Sequence, residues 1–139
     1  MPVEEDLYHA LTAYTLQLRD RGFLHQHVVD AFAVQSADET SKTIGVAFAL
    51  IGLYLHVDKG FTGRQVQRVH MQLARRRRKW PRLELPGARG RLTVADVMAA
   101  PPGAERDAKI EEWCTAVWGS CGGCREQVVE LLTTELNVS

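Results

Sequence analysis

The stretch from Ile44 to Val57, IGVAFALIGLYLHV, decides the fold, because its fourteen residues include no formally charged side chain. It is too short to cross a bilayer, which needs about 20 consecutive apolar residues. It is also too long for an ordinary strand, and the turn sequence Asp58-Lys59-Gly60 follows it. The stretch therefore predicts the central helix of a helical domain, apolar nearly all round because other helices cover it.

The helical repeat divides this central helix into two stripes. The bulky stripe consists of Ile44, Phe48, Ile51 and Leu55. The second stripe is made mostly of small residues and ends in a histidine: Gly45, Ala49, Gly52 and His56. Small side chains let a neighbouring helix come close, so the sequence predicts that a helix packs on the second stripe. A larger residue at Gly52 would then overpack the contact.

The composition is that of one globular domain. A chain of 139 residues can bury a core without disulfides or metals, and its 45% apolar and 24% charged residues are ordinary proportions. The formal net charge is zero, so no overall field attracts nucleic acid or an anionic membrane. The segment from Met1 to Asp6 is acidic, unlike a signal peptide, and no membrane-spanning segment is visible. We therefore expect a cytoplasmic protein whose three cysteines are reduced.

Further segments show helical periodicity or signals for the start of a helix. Two of them begin with a capping box, in which Thr62 pairs with Gln65 and Thr93 pairs with Asp96. The predicted helices besides the central one cover residues 4–21, 24–35, about 63–79, about 94–100, 104–118 and 125–136. Together they predict an all-α fold, a single domain over residues 1–139 in which about five to six helices surround the buried central helix.

Histidines occur on four of the predicted helices. They are His9, His25 with His27, His56 and His70. Helix bundles build metal sites from single ligands on facing helices, so this distribution is typical of a three-histidine site. It is also what chance provides, because the sequence has no HExxH motif and no two histidines four residues apart.

Three of these histidines form the sharpest candidate site. His70 lies on the inward stripe of a helix whose start is fixed by a capping box, and the second helix supplies His25 and His27. Asp30 lies three residues beyond His27, close enough to accept a hydrogen bond and fix the tautomer of the ring. We predict that His70 approaches His25 or His27, and that the three bind a divalent metal (Zn, Fe or Ni) with Asp30 behind His27. The alternative is that His27 and Asp30 form a polar pair at the border of the core.

The run Arg75-Arg76-Arg77-Arg78-Lys79 allows two interpretations. Five successive cations invite nucleic-acid binding, but helical geometry spreads them around the whole circumference. Cations also stabilise the C-terminus of a helix, which is a sufficient structural reason for several of them. Since the net charge is zero and no aromatic side chains alternate with the cations, the sequence argues against a nucleic-acid partner.

The motif Cys121-Gly122-Gly123-Cys124 is a CxxC at the start of the last helix. A helix N-terminus would lower the pKa of Cys121 or Cys124, as redox chemistry requires. The motif lacks a βαβ context and a second CxxC, and Cys114 could add a metal ligand only if its helix folded back. Two glycines between cysteines are also typical of an interhelix turn, so the role of the pair stays open from the sequence.

From the first helix to Trp118 the chain resembles a family of small uncharacterised bacterial proteins. The matching stretches are YTL at 14–16, FLHQHVVDA at 23–31, AFAL at 47–50, FTGRQVQ at 61–67 with HM at 70–71, WP at 80–81, and PG at 102–103 with ERD at 105–107. The tail over residues 119–139, with its CxxC, departs from the pattern and forms an atypical C-terminal helix. The resemblance implies no activity and transfers no catalytic residue. It directs attention to the polar motifs around His25–Asp30 and Arg64–His70, and the further polar candidates are Gln35, Arg64, Gln67 and Arg77.

Two functions of different classes follow from the sequence. The first is a metal-binding helical bundle, in which a divalent metal with an open coordination position polarises a substrate or activates water, as in an enzyme. The second is a non-catalytic module that forms a homodimer or docks a partner protein through its helices. The sequence indicates neither a substrate nor catalytic residues.

Overall fold

The computed structural model describes residues 3–76 and 79–136, and over these ranges the chain forms seven α-helices and no strand. In chain order the helices are α1 (Glu4–Leu18), α2 (His25–Gln35), α3 (Thr43–Val57), α4 (Gly63–Ala74), α5 (Val94–Ala99), α6 (Ala104–Ser120) and α7 (Arg125–Leu136). A short 3₁₀ turn, Gly122–Cys124, connects α6 to α7. The predicted all-α bundle is therefore confirmed. Within the described ranges, no helix has the combination of length and hydrophobicity that crossing a membrane requires.

Helix α3 is the central helix that the apolar stretch predicts. Leu50, Ile51 and Leu53 are fully buried, and α2, α4, α6 and α7 all pack against the helix. Its first turn is different, because Ile44 is 43% exposed and a Cβ added at Gly45 would meet no atom within 4 Å. The predicted burial all round thus holds for most of α3 but fails at its first turn, which no neighbouring helix covers.

The small-residue stripe of α3 packs against α2. A Cβ added at Gly52 would overlap Oδ2 of Asp30 and would lie 3.1 Å from Cγ1 of Val66. One turn further along α3, the imidazole rings of His56 and His27 stack with their centroids 3.4 Å apart. Asp30 follows His27 along α2 whereas Gly52 precedes His56 along α3, so the two helices run antiparallel across this contact. Because Gly52 has no side chain, the carboxyl group of Asp30 can lie against the surface of α3.

Local sequence signals fix the starts of α4 and α5. The Thr62 hydroxyl accepts a hydrogen bond from the backbone N–H of Gln65 (3.2 Å), and Oε1 of Gln65 accepts from the backbone N–H of Thr62 (2.8 Å). An equivalent capping box of Thr93 and Asp96 begins α5. Both predicted capping boxes are confirmed, since each depends only on residues three positions apart.

Helices α4 and α6 end at positions other than those predicted. Helix α4 ends at Ala74 rather than near residue 79, because Trp80 is buried edge-on against the Phe48 ring (centroids 5.2 Å apart) and the chain must leave the helix to place it there. Helix α6 continues to Ser120, through the break predicted at Gly119.

The loop between α1 and α2 is shaped by the start of α4. Helix α1 ends three residues before the predicted position, because Arg19 adopts a left-handed conformation (φ 49°). The backbone N–H of Arg64 donates to the carbonyl oxygen of Gly22 (2.9 Å). A Cβ added at Gly63 would overlap the carbonyl oxygen of Phe23, so only glycine permits this close approach.

The C-terminus of α2 is held by the connector between α4 and α5. Nη1 of Arg89 donates to the carbonyl oxygen of Ala37 (2.5 Å), beyond the helix end where carbonyl groups lack helical partners. Nε2 of Gln35 donates to the Leu92 carbonyl oxygen (2.7 Å), and Oε1 of Gln35 accepts from Nε1 of Trp113 (2.9 Å). Gln35 thus joins α2, the connector and α6.

Replacing Gly52 with alanine should destabilise the protein, because the new Cβ would collide with Asp30 and Val66. Overpacking of this kind costs roughly 1–3 kcal/mol, and a leucine at Gly52 should cost at least as much. The matched control is Gly45→Ala on the same helix, where a Cβ meets nothing within 4 Å. The control should keep or raise the stability by up to about 1 kcal/mol, because alanine favours the helix. Chemical denaturation measures both variants, and equal midpoints would contradict the close contact of α2 with α3.

Candidate functional site

Two imidazole rings and a carboxylate form a cluster where α2, α3 and α6 meet. His27 of α2 and His56 of α3 stack face to face, with their ring planes 15° apart. A hydrogen bond of 2.6 Å joins Nε2 of His56 to Oε2 of Glu111 in α6. His27 is only 3% exposed, whereas the Glu111 side chain is 51% exposed, so the cluster leads from the interior to the surface.

The surroundings of His56 favour its protonated form. Its Nδ1 lies 2.8 Å from the carbonyl oxygen of Phe61, which can only accept, so Nδ1 carries a hydrogen. Burial by itself lowers the pKa of His56, but the hydrogen bonds to Glu111 and Phe61 and the charge of Glu111 outweigh burial and raise that pKa above its usual value. The hydrogen bond to His56 in turn lowers the pKa of Glu111. Both shifts therefore widen, toward neutral pH, the pH range in which this pair exists as imidazolium and carboxylate.

The stacked partner, His27, is neutral at the same pH. Burial, followed by the charge of His56, lowers the pKa of His27 to about 4, although Glu111 and Asp20 act in the opposite direction. Its Nδ1 is buried and has no hydrogen-bond partner within the described part of the chain. Buried polar atoms without a partner are rare in proteins and require an explanation, such as a role in function or a bound water. The pKa values of the two stacked rings thus shift in opposite directions although the rings are in contact.

Asp30 is buried beside this cluster. Its Oδ1 accepts a hydrogen bond from Nε2 of Gln26 (3.1 Å), while its Oδ2 lies against Gly52 and has no partner in the described residues. Burial raises the pKa of Asp30 well above its usual value, although the hydrogen bond from Gln26 acts in the opposite direction. The predicted hydrogen bond between His27 and Asp30 is not formed, because the carboxyl group lies across the helix interface against α3.

A surface cleft of about 260 Å³ adjoins the cluster. Its lining residues come from α2, α3 and α6 and from the loops on either side of them: Asp20, Gly22, Leu24, His27, His56, Gly60, Phe61, Thr62 and Glu111. Helix α4 shapes this cleft by holding the loop between α1 and α2 through Gly63 and Arg64. The imidazole rings and the carboxylate therefore line a cavity large enough for a small molecule.

His70 and His25 have partners of their own. Nε2 of His70 is hydrogen-bonded to the carbonyl oxygen of Phe48 (2.7 Å), and the two rings stack with centroids 5.3 Å apart. Nδ1 of His25 lies 3.0 Å from Oγ1 of Thr15. Burial lowers the pKa of both histidines. Of the three predicted metal ligands, only His27 belongs to the cluster, and the described ring contacts of His70 include neither His25 nor His27.

The geometry of His27 and His56 does not fit a shared metal ion. A metal binds an imidazole nitrogen in the plane of the ring at about 2 Å, whereas these two rings are stacked and their lone pairs do not converge. Both nitrogens of His56 are also engaged in hydrogen bonds. Across residues 3–76 and 79–136, no three His, Cys, Asp or Glu side chains are grouped so that they could hold a metal ion. The divalent-metal role of His25, His27 and His70 therefore stays a prediction.

The three cysteines are buried free thiols. Burial raises the pKa of both Cys121 and Cys124, and Sγ of Cys124 donates to the carbonyl oxygen of Glu84 (2.9 Å). The predicted lowering of these pKa values is wrong, because the thiols are buried instead of facing solvent at the helix end. Burial also raises the pKa of Cys114 well above its usual value, and its Sγ contacts the His27 carbonyl oxygen at 3.6 Å. These environments favour the interpretation of the CxxC as an interhelix turn.

The further polar candidates lie outside the cleft lining or outside the described residues. Nη1 of Arg64 donates to Oε1 of Gln67 (3.1 Å), and the Arg64 guanidinium lies 4.6 Å from the centroid of the Phe23 ring. Gln35 has the structural contacts given above. Arg77 lies outside the described residues. Arg64, Gln67 and Gln35 thus have structural partners and do not line the cleft.

A model of DUF5946, a family of unknown function, matches residues 5–122. The chain belongs to this family. The match confirms the resemblance to an uncharacterised family, includes His27, His56 and Glu111, and ends before α7. No curated protein and no solved structure shows a significant match to the chain. Since membership of DUF5946 assigns no activity, the function has to be inferred from the chemistry of the site.

The metal hypothesis did not include His56 and Glu111. His56 ends the small-residue stripe of α3, and that stripe predicts close helix packing, so a signal for it was present. Glu111 follows the buried Ile110 and lies at the border of the apolar face of α6. A carboxylate at such a border can equally well be an unpaired surface group, so its position in the sequence does not mark it as part of a site. The pairing of His56 with Glu111 depends on how α3 and α6 cross, which periodicity does not determine.

Asp30→Asn should stabilise the protein at neutral pH. A carboxyl group whose pKa is raised by folding contributes stability below its unfolded pKa, and that contribution is lost as the pH rises. The advantage of the amide should therefore grow above about pH 4, by at most about 1.4 kcal/mol per pH unit. Asparagine keeps the oxygen that accepts from Gln26. Denaturation of both proteins between pH 4 and pH 7 measures the effect, with Glu130→Gln as the exposed control; a difference that does not change with pH would contradict the prediction.

Proposed function

We propose that His27, His56 and Glu111 bind a small polar molecule in the adjoining cleft and exchange a proton with it. The observation that carries this proposal is the combination of a short His56–Glu111 hydrogen bond with a buried imidazole, His27, whose Nδ1 has no partner in the described residues. His27, His56 and Glu111 all line the same cleft. Clefts that combine convergent polar groups with perturbed pKa values are typical of ligand-binding and catalytic sites.

The His56–Glu111 pair supplies the exchangeable proton. Because Nδ1 of His56 is committed to the Phe61 carbonyl oxygen, the proton that moves is the one between Nε2 and the carboxylate. The half-exposed Glu111 side chain links that proton to the cleft and to solvent. A ligand that accepts the Nε2 hydrogen bond beside Glu111 would be positioned to receive this proton from His56, which would then act as a general acid.

His27 contributes a neutral polar side chain to the lining of the same cleft. With a pKa of about 4 it does not compete with His56 for the proton at neutral pH. Environments that separate the pKa values of neighbouring groups assign them different roles in acid–base chemistry. In this proposal His56 and Glu111 handle the proton, and His27 orients the ligand.

Histidine-ring NMR spectra of the full chain, recorded across a pH titration, test the proton pair. We expect His56 to titrate above its usual value and His27 to stay neutral down to about pH 4. Glu111→Gln should lower the pKa of His56, because it removes the carboxylate that stabilises the imidazolium. The matched control is Glu112→Gln, which removes the same charge at the next residue, where Glu112 pairs with Lys109 instead.

The outcome is decided by the comparison of these two variants. A His56 pKa that falls in Glu111→Gln and stays constant in Glu112→Gln supports the proton pair. A His56 that titrates identically in both variants overturns it. The exposed His9, whose ring lies outside the cleft lining, supplies a reference signal in the spectra.

The metal-binding and partner-binding roles predicted from the sequence also stay predictions. Elemental analysis of tag-free protein for Zn, Fe and Ni tests the metal-binding role, and about one equivalent of metal per chain would support it. Light scattering of the purified chain tests the homodimer. The metal analysis and the light-scattering measurement do not depend on the proton-exchange proposal. Their results therefore leave the NMR test of that proposal unchanged.

A further inference from the structure

We propose that the molecule bound in this cleft carries a small ammonium group, held between the carboxylates of Asp20 and Glu111. This inference rests on the proposed function, because it names the ligand class of the same cleft. It depends on the charges of the lining residues, on the placement of the two carboxylates and on the condition of His27.

The described residues that line the cleft carry an excess of negative charge. Asp20 and Glu111 are the acidic residues among them, and no lysine or arginine is included. His56 contributes a positive charge, but Glu111 already neutralises it through the 2.6 Å hydrogen bond. Arg64, on the neighbouring helix, is turned toward Phe23 and Gln67 instead. An anionic ligand would therefore meet the carboxylate of Asp20 without a free cation in the lining to offset it.

Both carboxylates line the same cleft as His27. Asp20 is held in place by the loop, because its Oδ2 accepts the backbone N–H of Leu24 (2.9 Å). Glu111 is held by its hydrogen bond to His56. Both carboxylates act electrostatically on the His27 ring, yet neither forms a hydrogen bond with it. The cleft thus presents, together with His27, two carboxylates that are each held in place by a hydrogen bond.

His27 is the second, independent indication of a ligand. His27 is only 3% exposed, and it is one of the residues that line the cleft. Its buried Nδ1 has no hydrogen-bond partner in the described part of the chain. A neutral imidazole beside two carboxylates is a surrounding that accepts hydrogen bonds and attracts positive charge. An ammonium group has three donors on a compact cation, so it can contact both carboxylates and still donate to a third acceptor. The cleft volume of about 260 Å³ is sufficient for a small molecule that carries such a group.

Three probes of similar size and different charge test this inference on the wild-type chain. They are ethanolamine, which is an ammonium ion at pH 7, the neutral ethylene glycol and the anionic glycolate. Histidine-ring NMR spectra report binding through the signals of His27 and His56, with His9 as the reference. We expect ethanolamine to shift both cleft signals at a lower concentration than either of the other two probes.

Asp20→Asn tests the position of the ammonium group. Asparagine retains an oxygen that can accept from the Leu24 N–H, so the loop should keep its conformation. The variant should weaken ethanolamine binding on the order of tenfold, as expected for the loss of one charged acceptor. Glu112→Gln, which removes a carboxylate outside the cleft lining, should leave the binding unchanged.

The possible results separate this inference from the proposed function. If ethylene glycol or glycolate shifts His27 and His56 as strongly as ethanolamine, the ammonium class is overturned while a ligand-binding cleft stands. If none of the probes shifts the two signals, both the ligand class and the ligand-binding role are overturned. If ethanolamine binds equally to the Asp20→Asn variant and the wild type, the assignment of Asp20 is overturned.

Discussion

The close contact of α2 with α3 at Gly52 is the constraint on which the rest of the structure depends. With no side chain at Gly52, the two helices approach until the Asp30 carboxyl lies against the α3 backbone and His27 stacks on His56. A side chain at this position would separate the helices and dismantle both contacts. The same closeness withdraws Asp30 and His27 from water, at a cost that the surrounding apolar core has to offset.

The cost of burial has a direct electrostatic consequence. Asp30 and His27 respond to the loss of water by favouring their neutral forms, so their pKa values move in opposite directions. His56 is in contact with His27 but behaves differently, because Glu111 and the Phe61 carbonyl oxygen compensate its burial. One helix interface therefore contains neutral groups in its interior and an ion pair at its edge. This gradient places the exchangeable proton near the cleft.

The predictability of the fold from the sequence follows the range of the interactions involved. The capping boxes at Thr62 and Thr93 depend on neighbours three residues away, and the apolar stretch of α3 depends on composition, so both were predictable. The end of α4 was not, because it depends on where Trp80 finds a buried place against Phe48. Helical periodicity also predicts which face of a helix a residue occupies, but it does not predict which residue of another helix lies opposite.

The candidate site shows the same limit. The sequence singled out His27 and Asp30, and the structure buries both at the α2–α3 interface. It paired them with His70, whose inward direction was correct, but the ring of His70 is satisfied by the Phe48 carbonyl oxygen. An inward direction leaves a histidine several acceptors to choose from, and a backbone carbonyl is the nearest one for His70. The actual partner of His27 is His56, which the small-residue stripe brings close.

The cleft exists because three features of backbone packing coincide at one end of the interface between α2 and α3. Arg19 turns the chain out of α1, Gly63 lets α4 approach the carbonyl oxygen of Phe23, and the Leu24 N–H holds the Asp20 carboxylate. Together they place Asp20, Gly22 and Leu24 in the cleft lining that also includes His27. The position of a carboxylate beside a neutral imidazole is thus determined by backbone packing in a loop. Residues of the loop between α1 and α2, which do not hold the proton of the His56–Glu111 pair, therefore help to determine which ligand charge the cleft can accept.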